Sequence, residues 1–151
     1  MKRILLTGFN GFIGSSIYQH VSLKNSSTFI MSCVEKDYIN KRNWKESLDN
    51  IVQQSDIILH VGAISDTMLS DNNEMMKYNY EFSRVLFDLS EKHNKQVIYS
   101  SSGANTGDKG LPSNFYGWSK YITEQYGMSK VTNFVALRYM NVYGPGEEHK
   151  G

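Results

Sequence analysis

The chain has 151 residues, a formal net charge of +1 at pH 7 and 40% hydrophobic residues. That length suits a single domain over residues 1–151, with a core large enough to need no disulfide or metal. A near-neutral charge without a basic block argues against nucleic acid or an anionic membrane as the main partner. The single cysteine, Cys33, excludes an internal disulfide, and the sequence contains no signal-like or transmembrane-length apolar segment, so we predict a cytoplasmic protein.

Apolar runs typical of β-strands recur along the chain, with helix-period segments between most of them. The runs are Arg3–Thr7, Phe29–Val34, Ile57–His60, Gln96–Ser100 and Phe134–Arg138. Strands that alternate with helices predict parallel βαβ units, and therefore an α/β doubly wound parallel sheet, the Rossmann fold. The polar stretch Glu35–Gln54 contains no clear strand.

A glycine-punctuated turn follows the first strand, at Gly8, Gly11 and Gly14, and helix spacing begins at once with Ile13 and Ile17. The order strand, G-x-x-G-x-x-G, helix seats a pyrophosphate on the unpaired N–H groups of a helix N-terminus. The first glycine permits the tight exit from the strand, the second lets the backbone approach the phosphates, and the third lets the helix pack closely. The alternative is an ordinary βα turn.

The third strand ends in His60-Val61-Gly62-Ala63, where small residues let the chain pass close to a cofactor. We expect His60 itself to be a packed, hydrogen-bonded histidine rather than a catalyst. In the following helix Asn79 interrupts an apolar stripe. Because a buried amide needs hydrogen-bond partners, we predict that Asn79 holds a neighbouring loop.

Two further motifs carry hydroxyl groups. Ser100–Ser102 end the fourth strand, at the edge of a parallel sheet where ligands bind. Tyr116 and Lys120 are four residues apart, on one face of a predicted helix. A phenol titrates near pH ~10, and a nearby ammonium that lowers this by about three units supplies roughly 4 kcal/mol. The alternative interpretation of the serines is a turn that satisfies its own backbone, and that of Tyr116 and Lys120 is a pair on the surface of an ordinary helix.

In this order the motifs resemble the extended short-chain dehydrogenase/reductase family of NAD-dependent epimerases and dehydratases, which modify nucleotide-activated sugars with a nicotinamide cofactor. The matching residues are Gly8, Gly11, Gly14, Gly62-Ala63, Asn79, Ser100–Ser102, Tyr116, Lys120, Arg138 and Asn141–Pro145. Within the family, Met75-Met76 before Asn79 and the terminal run into His149-Lys150-Gly151 are similar to the heptose 6-epimerase branch.

The resemblance implies a nucleotide-sugar epimerase that works by transient hydride transfer to NAD or NADP. It implies Tyr116 as catalytic acid/base, Lys120 as its electrostatic partner and a ribose ligand, and Ser102 as the hydroxyl that orients the substrate. Lys150 corresponds to the second base, since two bases flanking a transient ketone allow epimerisation, and Asn141 to a substrate contact. The predicted cofactor-binding residues are Gly8, Asn10, Gly11, Phe12, Ile13, Gly14, Glu35, Gly62, Ala63, Asn79, Lys120 and Val142. No metal-ligand spacing occurs, so no metal site is predicted.

The choice of cofactor depends on the end of the second strand. A carboxylate at Glu35 accepts a hydrogen bond from the adenosine ribose 2′-hydroxyl and repels a 2′-phosphate, which favours NAD. The nearby Lys36, Lys41 and Arg42 would instead favour NADP.

The sequence also departs from the family pattern. Family members continue into a substrate-binding region that is largely absent here, and the 14-residue interval from Ser102 to Tyr116 is short. The alternatives are therefore a dinucleotide-binding module without turnover, or a sugar-nucleotide dehydratase or reductase with the same Tyr/Lys chemistry. The expected partner is a nucleotide-activated sugar, and an exposed final strand would favour a homodimer.

Overall fold

A single parallel sheet organises the computed structural model, which describes residues 1–24, 28–66, 68 and 71–146. The strand order is β2-β1-β3-β4-β5, with every neighbouring pair parallel. In chain order the elements are β1 (Lys2–Thr7), α1 (Phe12–Lys24), β2 (Phe29–Val34), a 3₁₀ helix (Lys36–Asn40), α2 (Trp44–Gln54), β3 (Ile57–His60), α3 (Asn72–Met76), a π turn (Lys77–Glu81), α4 (Phe82–Lys92), β4 (Gln96–Ser102), a 3₁₀ turn (Gly103–Asn105), α5 (Phe115–Lys130) and β5 (Phe134–Tyr139). The predicted doubly wound α/β fold is confirmed.

The five predicted strands are also confirmed, with small changes at their ends. The fourth is longer than expected because Ser101 and Ser102 continue the ladder against Arg138 and Tyr139. The polar stretch Glu35–Gln54 folds as the 3₁₀ helix and α2. The stretch adds no strand beside β2, so β2 is one edge of the described sheet. The other edge is β5.

The order of the strands creates a crevice beside β1. The chain steps from β1 outward to β2, and then returns past β1 to β3, β4 and β5. Because such crossovers are right-handed, α1 lies on one face of the sheet and α2, α4 and α5 pack side by side on the other. The carboxyl ends of β1 and β3 flank the point where the order reverses, which is where sheets of this type bind ligands.

One continuous helical segment runs from α3 through the π turn to α4. Asp71 begins it, since its Oδ1 accepts a hydrogen bond from the Glu74 N–H at 3.0 Å, which is one half of a capping box. Met75, Phe82 and Leu86 are buried. They belong to the apolar face that α3 and α4 present to the core.

Apolar side chains from the strands and from α2 and α4 form the core behind the crevice. The buried cluster contains Leu5, Val34, Ile39, Leu48, Val52, Ile58, Phe82, Leu86, Phe87, Val97, Tyr99 and Val131. Among the described residues, the structure has no helix with the length and apolar character needed to span a membrane. The cellular compartment stays a prediction.

Candidate active site

A cleft of about 690 Å³ opens at the carboxyl ends of β1, β3 and β4. Its volume is in the range of small-molecule and cofactor sites. Most of the predicted site residues line it together: Gly8, Asn10, Gly11, Phe12, Ile13, Gly14, Glu35, Gly62, Ala63, Ser102, Tyr116, Lys120, Asn141 and Val142. The glycine turn and the Tyr116 side chain therefore share one cleft.

The glycine turn has a shape that other residues would not permit. Gly8 has φ +72°, and a Cβ there would overlap the backbone of Gly62 on the neighbouring strand end. A Cβ on Gly14 would overlap the Gly8 carbonyl, so the first turn of α1 lies directly against the strand exit. A Cβ on Gly11 would come within 4 Å of Gly8 O alone, at 3.4 Å, which leaves room beside Gly11. This cradle fits the pyrophosphate of a dinucleotide.

Glu35 closes the far end of the cleft, at the carboxyl end of β2. Its Oε1 accepts a hydrogen bond from the backbone N–H of Asn10 at 2.8 Å, which ties the side chain to the glycine turn. The second carboxylate oxygen remains for a further donor. Lys36 lines the same end of the cleft. A carboxylate and an ammonium are therefore both placed where a cofactor's adenosine ribose would lie.

His60 lies behind the cleft and forms hydrogen bonds with Thr7, at the end of β1, and with Ser83, on α4. Thr7 Oγ1 accepts hydrogen bonds from the N–H groups of Val61 and Gly62 at 3.1 and 3.0 Å, so the Thr7 hydroxyl donates to His60 Nδ1 at 2.7 Å. The other ring nitrogen, Nε2, then carries the proton and donates to Ser83 Oγ at 2.6 Å. Burial, and the nearby Lys120 charge, lower the pKa of His60 to about 3. The prediction of a packed, hydrogen-bonded histidine is confirmed.

Asn79, in the π turn, does not line the cleft, in contrast to its predicted place among the cofactor-binding residues. Its side chain is buried, and it bonds both the N–H and the C=O of Ile64, in the loop after β3. Its Nδ2 also donates to Ser119 Oγ on α5 at 3.0 Å. The prediction that Asn79 holds a neighbouring loop is confirmed, and both N–H groups of its amide are hydrogen-bonded.

The start of α5 brings Tyr116 to the cleft. Asn114 begins the helix, since its Oδ1 accepts from the Gly117 N–H at 2.7 Å. A Cβ on Gly117 would lie 2.6 Å from the Ala104 carbonyl oxygen, so the helix lies against the turn that comes after Ser102. Ser102 Oγ accepts from the Ala104 N–H at 3.1 Å, which leaves its hydroxyl hydrogen available to a ligand.

Lys120, one turn further along α5, is almost entirely buried, with 3% of its surface exposed. Its Nζ donates to the Ser100 carbonyl at 2.6 Å and lies 4.3 Å from the centre of the Tyr99 ring. Burial lowers the pKa of Lys120 to about 7, and the Glu124 carboxylate opposes that change. Burial therefore works against the ammonium form of Lys120.

An ion pair between the buried Glu124 and the exposed Arg138, which we did not predict, supports this wall of the cleft. Glu124, on α5, accepts from Arg138 Nη2 at 2.6 Å and from Arg138 Nε at 3.1 Å. Ser101 Oγ and Asn105 Nδ2 donate to the same carboxylate. Burial alone would raise the pKa of Glu124, but these hydrogen bonds outweigh it and the pKa is lowered. No local pattern of the sequence pairs Arg138 with Glu124, because the two residues lie on different elements.

A second cavity of about 400 Å³ adjoins the cleft where β4 and β5 end. Ser102, Tyr116 and Asn141 line both cavities, together with Tyr139 and Met140. These residues are placed to meet a ligand that extends away from the glycine turn. Lys150, the predicted second base, lies outside the described residues, so its role stays a prediction.

Comparison with known proteins agrees with this geometry. Residues 4–151 match the NAD dependent epimerase/dehydratase family. The chain belongs to this family. Over 182 aligned positions it is 33% identical to the ADP-L-glycero-D-manno-heptose-6-epimerase of Brachyspira hyodysenteriae, and over 177 positions 32% identical to that of Alkalilimnicola ehrlichii. These alignments cover 98% of this chain, but 57% and 55% of the two enzymes.

Solved structures of similar proteins share the fold. The Helicobacter pylori ADP-L-glycero-D-manno-heptose-6-epimerase superposes with a TM-score of 0.84 at 27% identity, over 99% of this chain and 58% of that one. A dTDP-4-dehydrorhamnose reductase from Bacillus anthracis, solved with NADP, gives a TM-score of 0.82 at 22% identity, over 95% of this chain and 55% of that one. The chain thus spans about half the length of the family members that it matches.

Proposed function

We propose that this chain carries the cofactor-binding and catalytic residues of a nucleotide-sugar epimerase that acts on an ADP-activated heptose. The observation that carries the proposal is one cleft lined by the glycine turn at one end and by Ser102, Tyr116 and Lys120 at the other. A module that only bound a dinucleotide would need neither the Ser102 hydroxyl nor the Tyr116 hydroxyl. The similarity to heptose 6-epimerases supports the choice of substrate.

The cleft would hold a nicotinamide dinucleotide along its length. The N–H groups at the start of α1 would bind the pyrophosphate, Glu35 the adenosine ribose, and Lys120 the nicotinamide ribose. When bound, the nicotinamide would accept a hydride from the sugar and return it. We propose NAD, because the Glu35 carboxylate lies at the ribose end of the cleft, with NADP as the alternative because Lys36 lies beside it.

The residues opposite the glycine turn would carry out the proton transfers of the reaction. Ser102 would donate a hydrogen bond to the reacting oxygen of the sugar and so hold it beside the Tyr116 hydroxyl. Tyr116 would take the hydroxyl proton as the carbon–oxygen single bond becomes a carbonyl, and would return it afterwards. The Lys120 ammonium favours the phenolate form that this role requires. Asn141 would contact the sugar, and Lys150 would act as the second base on the opposite face.

The second candidate is a dinucleotide-binding module without turnover. It is favoured by the glycine turn and Glu35, which would suffice to hold the pyrophosphate and adenosine ribose of a dinucleotide. Such a module would bind the cofactor through the same turn. It would show no turnover that depends on the Tyr116 hydroxyl. A dehydratase or reductase of the same family would use Tyr116 but would give a different sugar product.

Conversion of ADP-heptose to its C6 epimer, followed by NMR, separates these candidates. We expect Tyr116→Phe to lower turnover by about 10²–10⁴-fold while cofactor binding, measured by calorimetry, stays the same. Tyr121→Phe, on the same helix and outside the cleft, is the matched control. Cofactor binding without Tyr116-dependent turnover would select the module, and no binding of either cofactor would reject both candidates.

We also propose that the chain self-associates. β5 is an edge of the described sheet, and its Val135 and Leu137 are 43% and 42% exposed. An exposed edge strand with apolar side chains favours pairing with another chain. Light scattering over a wide concentration range should reveal a dimer, and a monomer at every concentration would reject this proposal.

A further inference from the structure

The buried charge of Lys120 has no carboxylate of the described residues in direct contact. Among the residues that the structure describes, no carboxylate oxygen lies within 4.0 Å of Lys120 Nζ. Glu124, one helical turn away, is engaged by Arg138, Ser101 and Asn105. Because an ammonium removed from water is costly, its charged form needs compensation from closer groups.

An aromatic ring lies close to Lys120 instead. The centre of the Tyr99 ring is 4.3 Å from Nζ, within the distance at which a cation is attracted to the negative face of a ring. Tyr99 is itself buried, and its ring is held by contacts with the rings of His60, Phe87 and Phe134 at 5.4–6.1 Å. The ring is therefore fixed before any ligand binds.

We propose that Tyr99 is a positioning residue whose ring face, together with the Ser100 carbonyl, keeps the Lys120 side chain protonated and directed at the cleft. Two consecutive residues of β4 thus act on one ammonium, one through its ring and the other through its backbone. Tyr99 does not line the cleft and would act on the reaction only through Lys120. The catalytic consequence rests on the proposed function, whereas the effect on Lys120 does not.

The other groups that face Lys120 do not replace the ring. From β3, His60 is neutral, because its pKa is about 3. From α5, Glu124 favours the charged form from a distance, and Tyr116 lies one turn towards the helix start. The Ser100 carbonyl accepts from Nζ in either protonation state, so it positions the amine more than it selects the charge.

Ring electronics can be changed at Tyr99 with little change of shape. Tyr99→Phe keeps the ring, and 3,5-difluoro- and 3,4,5-trifluorophenylalanine at the same position progressively weaken the attraction of its face for a cation. The titration of Lys120 is followed by NMR of the whole chain labelled with ¹³C at lysine Cε, without cofactor or substrate. The Lys120 signal is identified by its loss in Lys120→Arg.

We expect the Tyr99→Phe chain to titrate like the unmodified one, and the trifluorinated ring to give a midpoint about one pH unit lower, which is tenfold weaker proton binding. Tyr99→Leu should lower the midpoint at least as far, but the fluorinated series decides the matter if that variant does not fold. A midpoint that does not change with fluorination would overturn the proposal. Absence of epimerase activity would reject the proposed function and leave this titration readable.

Discussion

Asn79 holds both backbone polar groups of Ile64: its Oδ1 accepts from the Ile64 N–H at 2.7 Å, and its Nδ2 donates to the Ile64 C=O at 3.0 Å. The loop that lines the middle of the cleft is therefore attached to the helical segment behind it. The same amide reaches Ser119 on α5. One side chain thus joins the loop after β3 to the helix that carries Tyr116.

Asn79→Ala should destabilise the chain and weaken cofactor binding together. Leaving buried backbone groups of Ile64 unpaired costs about 1–3 kcal/mol, and the loop of Gly62 and Ala63 would lose its attachment. Chemical denaturation measures the first effect and calorimetric titration with NAD the second. Asn73→Ala, exposed on the same segment, is the matched control. Unchanged cofactor affinity in Asn79→Ala would show that the loop keeps its shape without this bond.

Gly11→Ala should weaken cofactor binding without lowering the stability of the fold. The added Cβ would meet Gly8 O at 3.4 Å, an ordinary contact distance, so the melting temperature should not change. The methyl group would stand where the backbone approaches the phosphates, and we expect at least about tenfold weaker binding, or about 1.4 kcal/mol. Ser47→Ala, an exposed change on α2 outside the cleft lining, serves as the control. Equal affinities of the two variants would contradict the placement of the pyrophosphate.

The stability of the chain should fall on mild acidification because of His60. Its pKa is about 3 when folded and near ~6.5 when unfolded, so between these values the unfolded chain binds more protons. Stability contributed by the neutral ring is present above pH ~6.5 and is lost as the pH falls, by up to about 1.4 kcal/mol per pH unit. Urea denaturation between pH 6.5 and 5 should show this slope, and His60→Asn should remove it. An equal slope in both proteins would assign the effect to other groups.

The cofactor preference should depend on the charge of Glu35. Glu35→Gln keeps an acceptor for the Asn10 N–H but removes the negative charge that opposes a 2′-phosphate. We expect NADP to bind the variant about tenfold more tightly, or about 1.4 kcal/mol, with little change for NAD. Glu46→Gln, an exposed change on α2, controls for net charge. If NADP binds the unmodified chain more tightly than NAD, Lys36 dominates and the proposed preference for NAD is wrong.

Much of the fold was predictable because its signals are local. Each strand is a short apolar run bounded by turn residues, and the glycine pattern after β1 determines how the chain leaves the sheet. Most of the site could be inferred from the fold, since the carboxyl ends of parallel strands meet at one edge. Gly62 and Ser102, 40 residues apart in the chain, come to the same cleft for this reason.

The remaining features depend on contacts between elements, which local patterns do not contain. The bond from Arg138 on β5 to Glu124 on α5 exists only once strand and helix are packed together. The Tyr99 ring reaches Lys120 because β4 turns that residue towards α5. The apolar stripe around Asn79 gave no sign of the π turn, because its spacing is also that of a regular α-helix.

The π turn also influences how this protein can change over time. Such a turn accommodates one residue more than regular α-helical winding. Deleting one residue of the turn would therefore let α3 and α4 continue as one regular α-helix, with Met75 and Leu86 still facing the core. A deletion inside α4 would instead rotate the residues on one side of it by about 100° relative to those on the other. Changes of length in descendants of this gene are therefore expected at the π turn rather than within α4.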